Sequence, residues 1–270
     1  MSCNGFSNNP LATRTKVNKM HRSKLLLPLA LTLASVATVA ADDKPTYDLS
    51  LRAKTGTVVK SNVDITIQIG PVPLTMTAKQ TDTYAQDKES KANSIGMKFE
   101  QGSVEIMGET TKEPNCEYTV ELAKDGQFAK IIEVDVPKPD EEAMGFSTII
   151  YFQAMGASVA PTKKVAVGDK WSADLKAPDL KEKYPSEEAE EEEKDESKMA
   201  TKYELVAIEK VGEIECAKVS FESTSDDKES QMTGKGFFWL DLSNGVVLKR
   251  DFKIDLGGEE GMSWTVKSAP

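Results

Sequence analysis

The sequence predicts a mainly β protein of the α+β class: a single curved antiparallel sheet, or half-open β-barrel, with one packed helix. Three observations predict it. Most of the chain alternates apolar and polar residues with period two, Gly-, Asn- and Asp-containing turn signals fall between the alternating runs, and one apolar segment breaks the rhythm.

The first forty-one residues stand apart from this pattern. Arg14, Lys16, Lys19, Arg22 and Lys24 are basic, and no acid precedes Asp42. Leu25 to Ala34 is apolar but too short to span a bilayer, and Val39 and Ala41 are small residues at the −3 and −1 positions of a cleavage site. This is the pattern of a secretory signal peptide over residues 1–41. Met20-His21-Arg22-Ser23-Lys24 begins a more ordinary signal, so Met20 is read as the true start. Cleavage near Ala41 leaves residues 42–270 as one β-rich half-barrel domain in the periplasm or outside the cell. No cysteine stands directly after the cut to take a lipid, and no second apolar run approaches the roughly 20 residues of a membrane helix.

From there the strands follow in order. Tyr47, Leu49, Leu51 and Ala53 alternate with polar residues, as do Val63, Ile65, Ile67 and Ile69, and Leu74, Met76 and Ala78 resume after Pro71-Val72-Pro73. Ile95, Met97 and Phe99 lead to Val104 and Ile106 across Gln101-Gly102. Tyr118, Val120 and Leu122 meet an Asp125-Gly126 turn, with Phe128 to Val136 as the hairpin partner. Pro139 to Ala157 opens with Asp140, Glu141 and Glu142, acids suited to a helix N-terminus, and then carries Met144, Phe146, Ile149, Ile150, Phe152 and Met155. Apolar on most sides, it reads as a helix buried on most sides, although Ile149 to Phe152 also suits a strand. Trp171, Ala173 and Leu175 start a strand after Val167-Gly168-Asp169. Eight acids in the ten residues Glu187 to Glu196 repel one another and read as a mobile solvated loop, with no glycine for a calcium loop. Beyond it, Tyr203, Leu205 and Ala207 face one way and Val206 and Ile208 the other, and Ile214 to Phe221 follows. Gly236 to Leu242 runs into Ser243-Asn244-Gly245, a strong hairpin signal, and Val246 to Leu256 returns. Gly257-Gly258 turns into the last strand, Met262 to Val266.

Composition narrows the function. Five of the 34 basic residues lie before the cut, so about 29 face 44 acids and the mature net charge is about −15. Nucleic acid needs a basic footprint that this chain lacks, and anionic lipid surfaces repel it. The lone histidine, His21, lies inside the signal, so the mature chain has no histidine for triad catalysis or a metal. Carboxylate-pair chemistry remains open, but no pair stands out and aromatic content is 7%. No cofactor is expected and the chain is read as no enzyme. Cys116 and Cys216 form a candidate disulfide or two separately buried thiols, and spacing does not choose between them.

Three pieces of the chain carry a family resemblance. They are Tyr47-Asp48-Leu49-Ser50-Leu51 running to Ile69, Pro161 to Trp171 with its Val-x-Val-Gly-Asp-x-Trp, and Tyr203-Glu204-Leu205 through Cys216 and Gly234-x-Gly-Phe237 to Gly245. Their order resembles an uncharacterised exported bacterial family, catalogued as a domain of unknown function. Its shape is expected to be similar to the lipoprotein-carrier (LolA/LppX-like) half-barrels. The resemblance implies a concave sheet holding an apolar or lipid-like ligand, and brings no catalytic residues. The expected cavity lining is Phe146, Ile149, Phe152, Met155, Trp171, Phe237 and Trp239. The alternative is a cell-envelope structural or interaction protein with a closed core and a protein partner.

Overall fold

Alternation becomes two antiparallel meanders joined edge to edge. The computed structural model describes residues 44–87, 92–123, 126–135, 159–176, 198–225, 232–256 and 263–270. After β1 (Thr46–Tyr47), the first meander is β2 (Val58–Ile69), β3 (Val72–Gln86), β4 (Asn93–Ile106), β5 (Glu109–Lys112), β6 (Cys116–Leu122) and β7 (Phe128–Asp135). After β8 (Val165–Ala166), the second is β9 (Lys170–Lys176), β10 (Lys198–Val211), β11 (Ile214–Ser225), β12 (Met232–Asp241), β13 (Val247–Leu256) and β14 (Ser263–Ala269). β14 pairs with β2, giving one sheet in the order β7-β6-β4-β3-β2-β14-β13-β12-β11-β10-β9, with β5 hooked onto β4. Its terminal strands, β7 and β9, do not pair with each other, so the sheet is open. β1 and β8 form a separate antiparallel pair. No helix lies among the described residues. The expected helix over Pro139 to Ala157, the signal at 1–41, the acidic run at 187–196 and the Gly257-Gly258 turn lie outside them.

One face of the sheet is buried, because every second side chain of most strands points there. In β3 these are Leu74, Met76, Ala78, Gln80, Asp82 and Tyr84, while the residues between them are half-buried or exposed. Bulges bend the sheet around this face. The ladders shift register at Thr77/Lys79, Thr119/Val120, Glu121/Leu122, Leu205/Ala207 and Trp239/Leu240. The bend is visible in one approach: the Tyr84 hydroxyl on β3 lies close to the Val247 backbone on β13. In a flat sheet the two intervening strands would hold β3 and β13 about 14 Å apart. β14 ends at Ala269, opposite Asn62, whereas β2 continues on to Val58. Past that end, inner side chains of β3 reach across to β13.

The bulge in β10 corrects the predicted facing. Tyr203 and Leu205 are buried as expected, but Val206 is the extra residue, and Ala207 then pairs with Lys218. One inserted residue reverses the alternation, so Ile208, opposite buried Ala217, takes the inner side.

Two turns show how local chemistry sets the ends. Met107 and Gly108 join β4 to β5 with φ of 53° and 86°, the two positive values of an I′ turn. The Asn244-Gly245 hairpin forms, but as a wider loop, with Asp241 N–H donating to the Val246 carbonyl, and Gly245 rather than Asn244 takes the positive φ, 74°. Asp241 holds the loop: its carboxylate accepts from Ser243 N–H (2.8 Å) and Asn244 Nδ2 (2.9 Å). The segment Asp48–Arg52 straps this loop. Arg52 N–H donates to the Asn244 carbonyl (2.6 Å), and its guanidinium reaches the Leu242 carbonyl (3.0 Å) and the Asp48 carboxylate (2.7 Å).

Candidate functional site

The Gly-Asp-x-Trp piece of the sequence positions the first side chain of the site. Gly168 N–H donates to the Leu205 carbonyl, Leu205 N–H donates to the Asp169 carbonyl, and the Asp169 carboxylate accepts from Ala166 N–H at 2.9 Å. These bonds fix where β9 begins. Trp171 then lies opposite Tyr203, half-buried on the inner side, with its Nε1 donating to the Val159 carbonyl at 2.8 Å. From Trp171 an aromatic series crosses the sheet. Trp171 stacks on Tyr203 (centroids 5.5 Å), Tyr203 meets Phe238 edge-on (6.1 Å), Phe238 stacks on Phe221 (6.1 Å) and Phe221 meets Phe252 (5.9 Å). These spacings are those of favourable ring pairs. The series starts on a terminal strand and ends on β13, near the middle of the sheet.

A polar island interrupts the apolar face next to that end. Arg250 lies opposite Phe238 on one side and Ser268 on the other, and is 8% exposed. Asp82 is 2% exposed and accepts from Gln80 Nε2 at 2.6 Å. Burial pushes the Asp82 carboxyl above its usual range, while the Arg250 charge and the Gln80 bond pull it down. The Tyr84 phenol is likewise raised, chiefly by burial. Sequence reasoning missed this island, although a signal was present. Arg250 shares the phase of Leu248, Phe252 and Ile254, and Asp82 that of Ala78 and Tyr84. A charge at an apolar phase position is the mark of a buried charge.

Phe237 and Trp239, expected to line the cavity with Trp171, instead lie on the outer face. The strand alternates, and Phe238 takes the inner position between them. Trp239 is nonetheless 5% exposed. Lys218 and Lys249 lie over its ring at 5.1 and 4.3 Å, Phe237 packs beside it at 6.2 Å, and its Nε1 donates to the Glu209 carboxylate. Two outer grooves flank this pair. One of about 680 Å³ carries Lys202, Lys235, Lys253 and Lys267 beside Glu222 and Asp251. The other, of about 740 Å³, lies between Val58, Val211, Ile214, Trp239 and Pro270.

Phe146, Ile149, Phe152 and Met155 lie outside the described residues. Cys116 and Cys216 are free, buried thiols. In place of the candidate disulfide, the sheet order sets β6 and β11 seven strand positions apart. Among the described residues no three His, Cys, Asp or Glu side chains are grouped to hold a metal.

No protein-family model and no curated protein matches this chain. Two solved structures are similar to it. One is a candidate exported protein with a YmcC-like fold from Bacteroides fragilis NCTC 9343, 11% identical, covering 83% of this chain and 98% of its own, with a TM-score of 0.27. The other is a DUF1329 family protein from Desulfovibrio piger ATCC 29098, 11% identical, covering 80% of this chain and 85% of its own, with a TM-score of 0.25. Neither name gives a ligand or an activity.

Proposed function

We propose that this chain is an exported, non-catalytic binding protein that holds an apolar or lipid-like ligand against the inner face of its curved sheet. The aromatic series carries this reading. It begins at half-buried Trp171 on the terminal strand β9 and runs inward, ring on ring, to Phe252. Because β9 and β7 do not pair, no strand ladder seals the face at that edge, where the half-buried Trp171 stands. Export follows from the basic, apolar and small-residue order of residues 1–41.

The test is solvent extraction of the exported chain, followed by mass spectrometry, together with titration of neutral Nile red. Co-extracted lipid is expected, as is dye binding weakened about tenfold by Trp171→Ala, the loss of roughly 1.4 kcal/mol of ring contact. A lipid-free extract and an unresponsive dye would overturn the proposal and leave the closed-core envelope protein.

A further inference from the structure

We infer that Arg250 and Ser268 form the head-group end of the inner-face site, and that its ligand is a long-chain carboxylate whose tail lies along the aromatic series. This rests on the apolar-ligand reading above and names the ligand's chemistry.

The first ground is a cation sunk in the inner face with a charge neighbour but no ion pair. Arginine keeps its charge inside proteins and presents a planar fork of donors suited to two oxygens at once. A charge taken out of water needs an opposite charge and acceptors beside it. Arg250 is 92% buried, yet among the described residues its guanidinium makes no hydrogen bond and no ion pair within 4.0 Å. Asp82 acts on it only through its charge, from beyond ion-pair distance, and burial favours the protonated form of that carboxyl. Gln80 occupies one Asp82 oxygen.

The second ground is independent. Ser268 stands directly opposite Arg250 on β14, is 98% buried, and its Oγ has no hydrogen-bond partner. Directly opposed side chains on one face of an antiparallel pair stand about 5 Å apart. Arg250 and Ser268 thus stand side by side on the inner face, and one oxyanion bound there would take donors from both.

Charge and position select the anion. Arg250 is the sole buried cation among the described residues. One guanidinium supplies a single positive charge, which suits a monoanion and disfavours a phosphate dianion. On its other side Arg250 faces Phe238, the centre of the aromatic series. From β13 to Trp171 on β9 is four strand spacings, about 19 Å. That matches an extended fatty-acid tail, with its carboxylate inside and its end at the open edge.

The experiment displaces Nile red from the full exported chain with hexadecanoate, hexadecanol or hexadecyl phosphate. Hexadecanoate is expected to displace the dye at roughly tenfold lower concentration than hexadecanol, as a charge-assisted contact gives. Arg250→Gln should abolish that preference while leaving hexadecanol within about twofold of its wild-type value. Equal displacement by acid and alcohol in the wild type, or an undiminished preference in a folded Arg250→Gln, would overturn the head-group assignment and leave the apolar site standing. Stronger displacement by hexadecyl phosphate than by hexadecanoate would overturn the carboxylate. Dye binding with no displacement by any of the three overturns the head group, whereas no dye binding and a lipid-free extract overturn the underlying reading as well. The wild-type arms decide even where Arg250→Gln does not fold.

Discussion

Gly234 and Gly236 sit two residues apart on one face of β12, and alanine at the two positions is expected to act in opposite directions. At Gly236 an added Cβ would fall within 3.0 Å of the Phe252 Cα and Cβ and the Asp251 carbonyl oxygen on β13. Two of those atoms are backbone, and Phe252 is the ladder partner of Gly236, so no side-chain rotation relieves the clash. β12 and β13 must part locally until the contacts reopen to about 3.5–4.0 Å. Overpacking of this kind costs about 1–3 kcal/mol, and stretching one or two ladder bonds adds roughly 1 kcal/mol each, so Gly236→Ala should lose about 3–4 kcal/mol. At Gly234 the nearest atoms stand at 3.7 Å, ordinary contact, and all belong to side chains. Replacing a mid-strand glycine there should gain about 0.5–1 kcal/mol by restricting the unfolded chain. Urea unfolding followed by tryptophan fluorescence measures both, and in thermal melts the pair should separate by roughly 8–16 °C at this chain length. Two variants within about 1 kcal/mol of each other would refute the inference that β12 and β13 are in backbone contact at Gly236.

Three further outcomes follow from the same structure. Gly245→Ala places a side chain at φ +74° and against the Ser50 carbonyl, so a loss of about 2–4 kcal/mol is expected, with proteolysis near Asp48–Arg52 rising first; unchanged cleavage there would dissociate the strap from the loop. Asp82 has a folded-state pKa above its ordinary 3.8, so the folded form holds that proton more tightly. The associated stability is full below 3.8 and is lost as pH rises through the folded value; Asp82→Asn should flatten this part of the urea-midpoint curve, and parallel curves would contradict it. Burial pushes the Cys116 thiol up to about 12 and raises Cys216 too, so the native exported chain should react with Ellman's reagent at least ~100-fold more slowly than the unfolded chain, in which both thiols titrate. Fast native reaction at either site would sink that account.

Strands were legible because burying one face imposes period two, and β3 shows it plainly from Leu74 to Tyr84. Bulges were not legible: nothing in Leu205-Val206-Ala207 marks the residue at which the phase flips, since the extra residue is fixed by the partner strand. The Met107-Gly108 turn escaped for a related reason, because methionine rarely takes positive φ and only the ladder on both sides forces it. Within the site, the Gly168-Asp169-x-Trp171 turn was readable as local chemistry and Trp171 landed on the inner face. Phe237 and Trp239 lie on a strand apolar on both faces, so the pattern does not tell inner from outer, and lysine stems and Glu209 cover Trp239 on the outer side. Arg250 and Asp82 are far apart in sequence, and their approach depends on where β14 stops.

The β2–β14 ladder joins residues about 200 positions apart, Asn62 with Ala269 among them, while within each meander, β5 aside, each strand pairs with the next in sequence. Loop closure of that span is slow compared with hairpin zipping. Each arm can therefore assemble early from its own neighbours, but the seam between them waits until the final strand has emerged. If the chain is exported as proposed, it would stay unzipped along its midline until the C-terminal strand has crossed, which favours delivery in an unfolded form and makes trimming of a few terminal residues more damaging than trimming either outer rim.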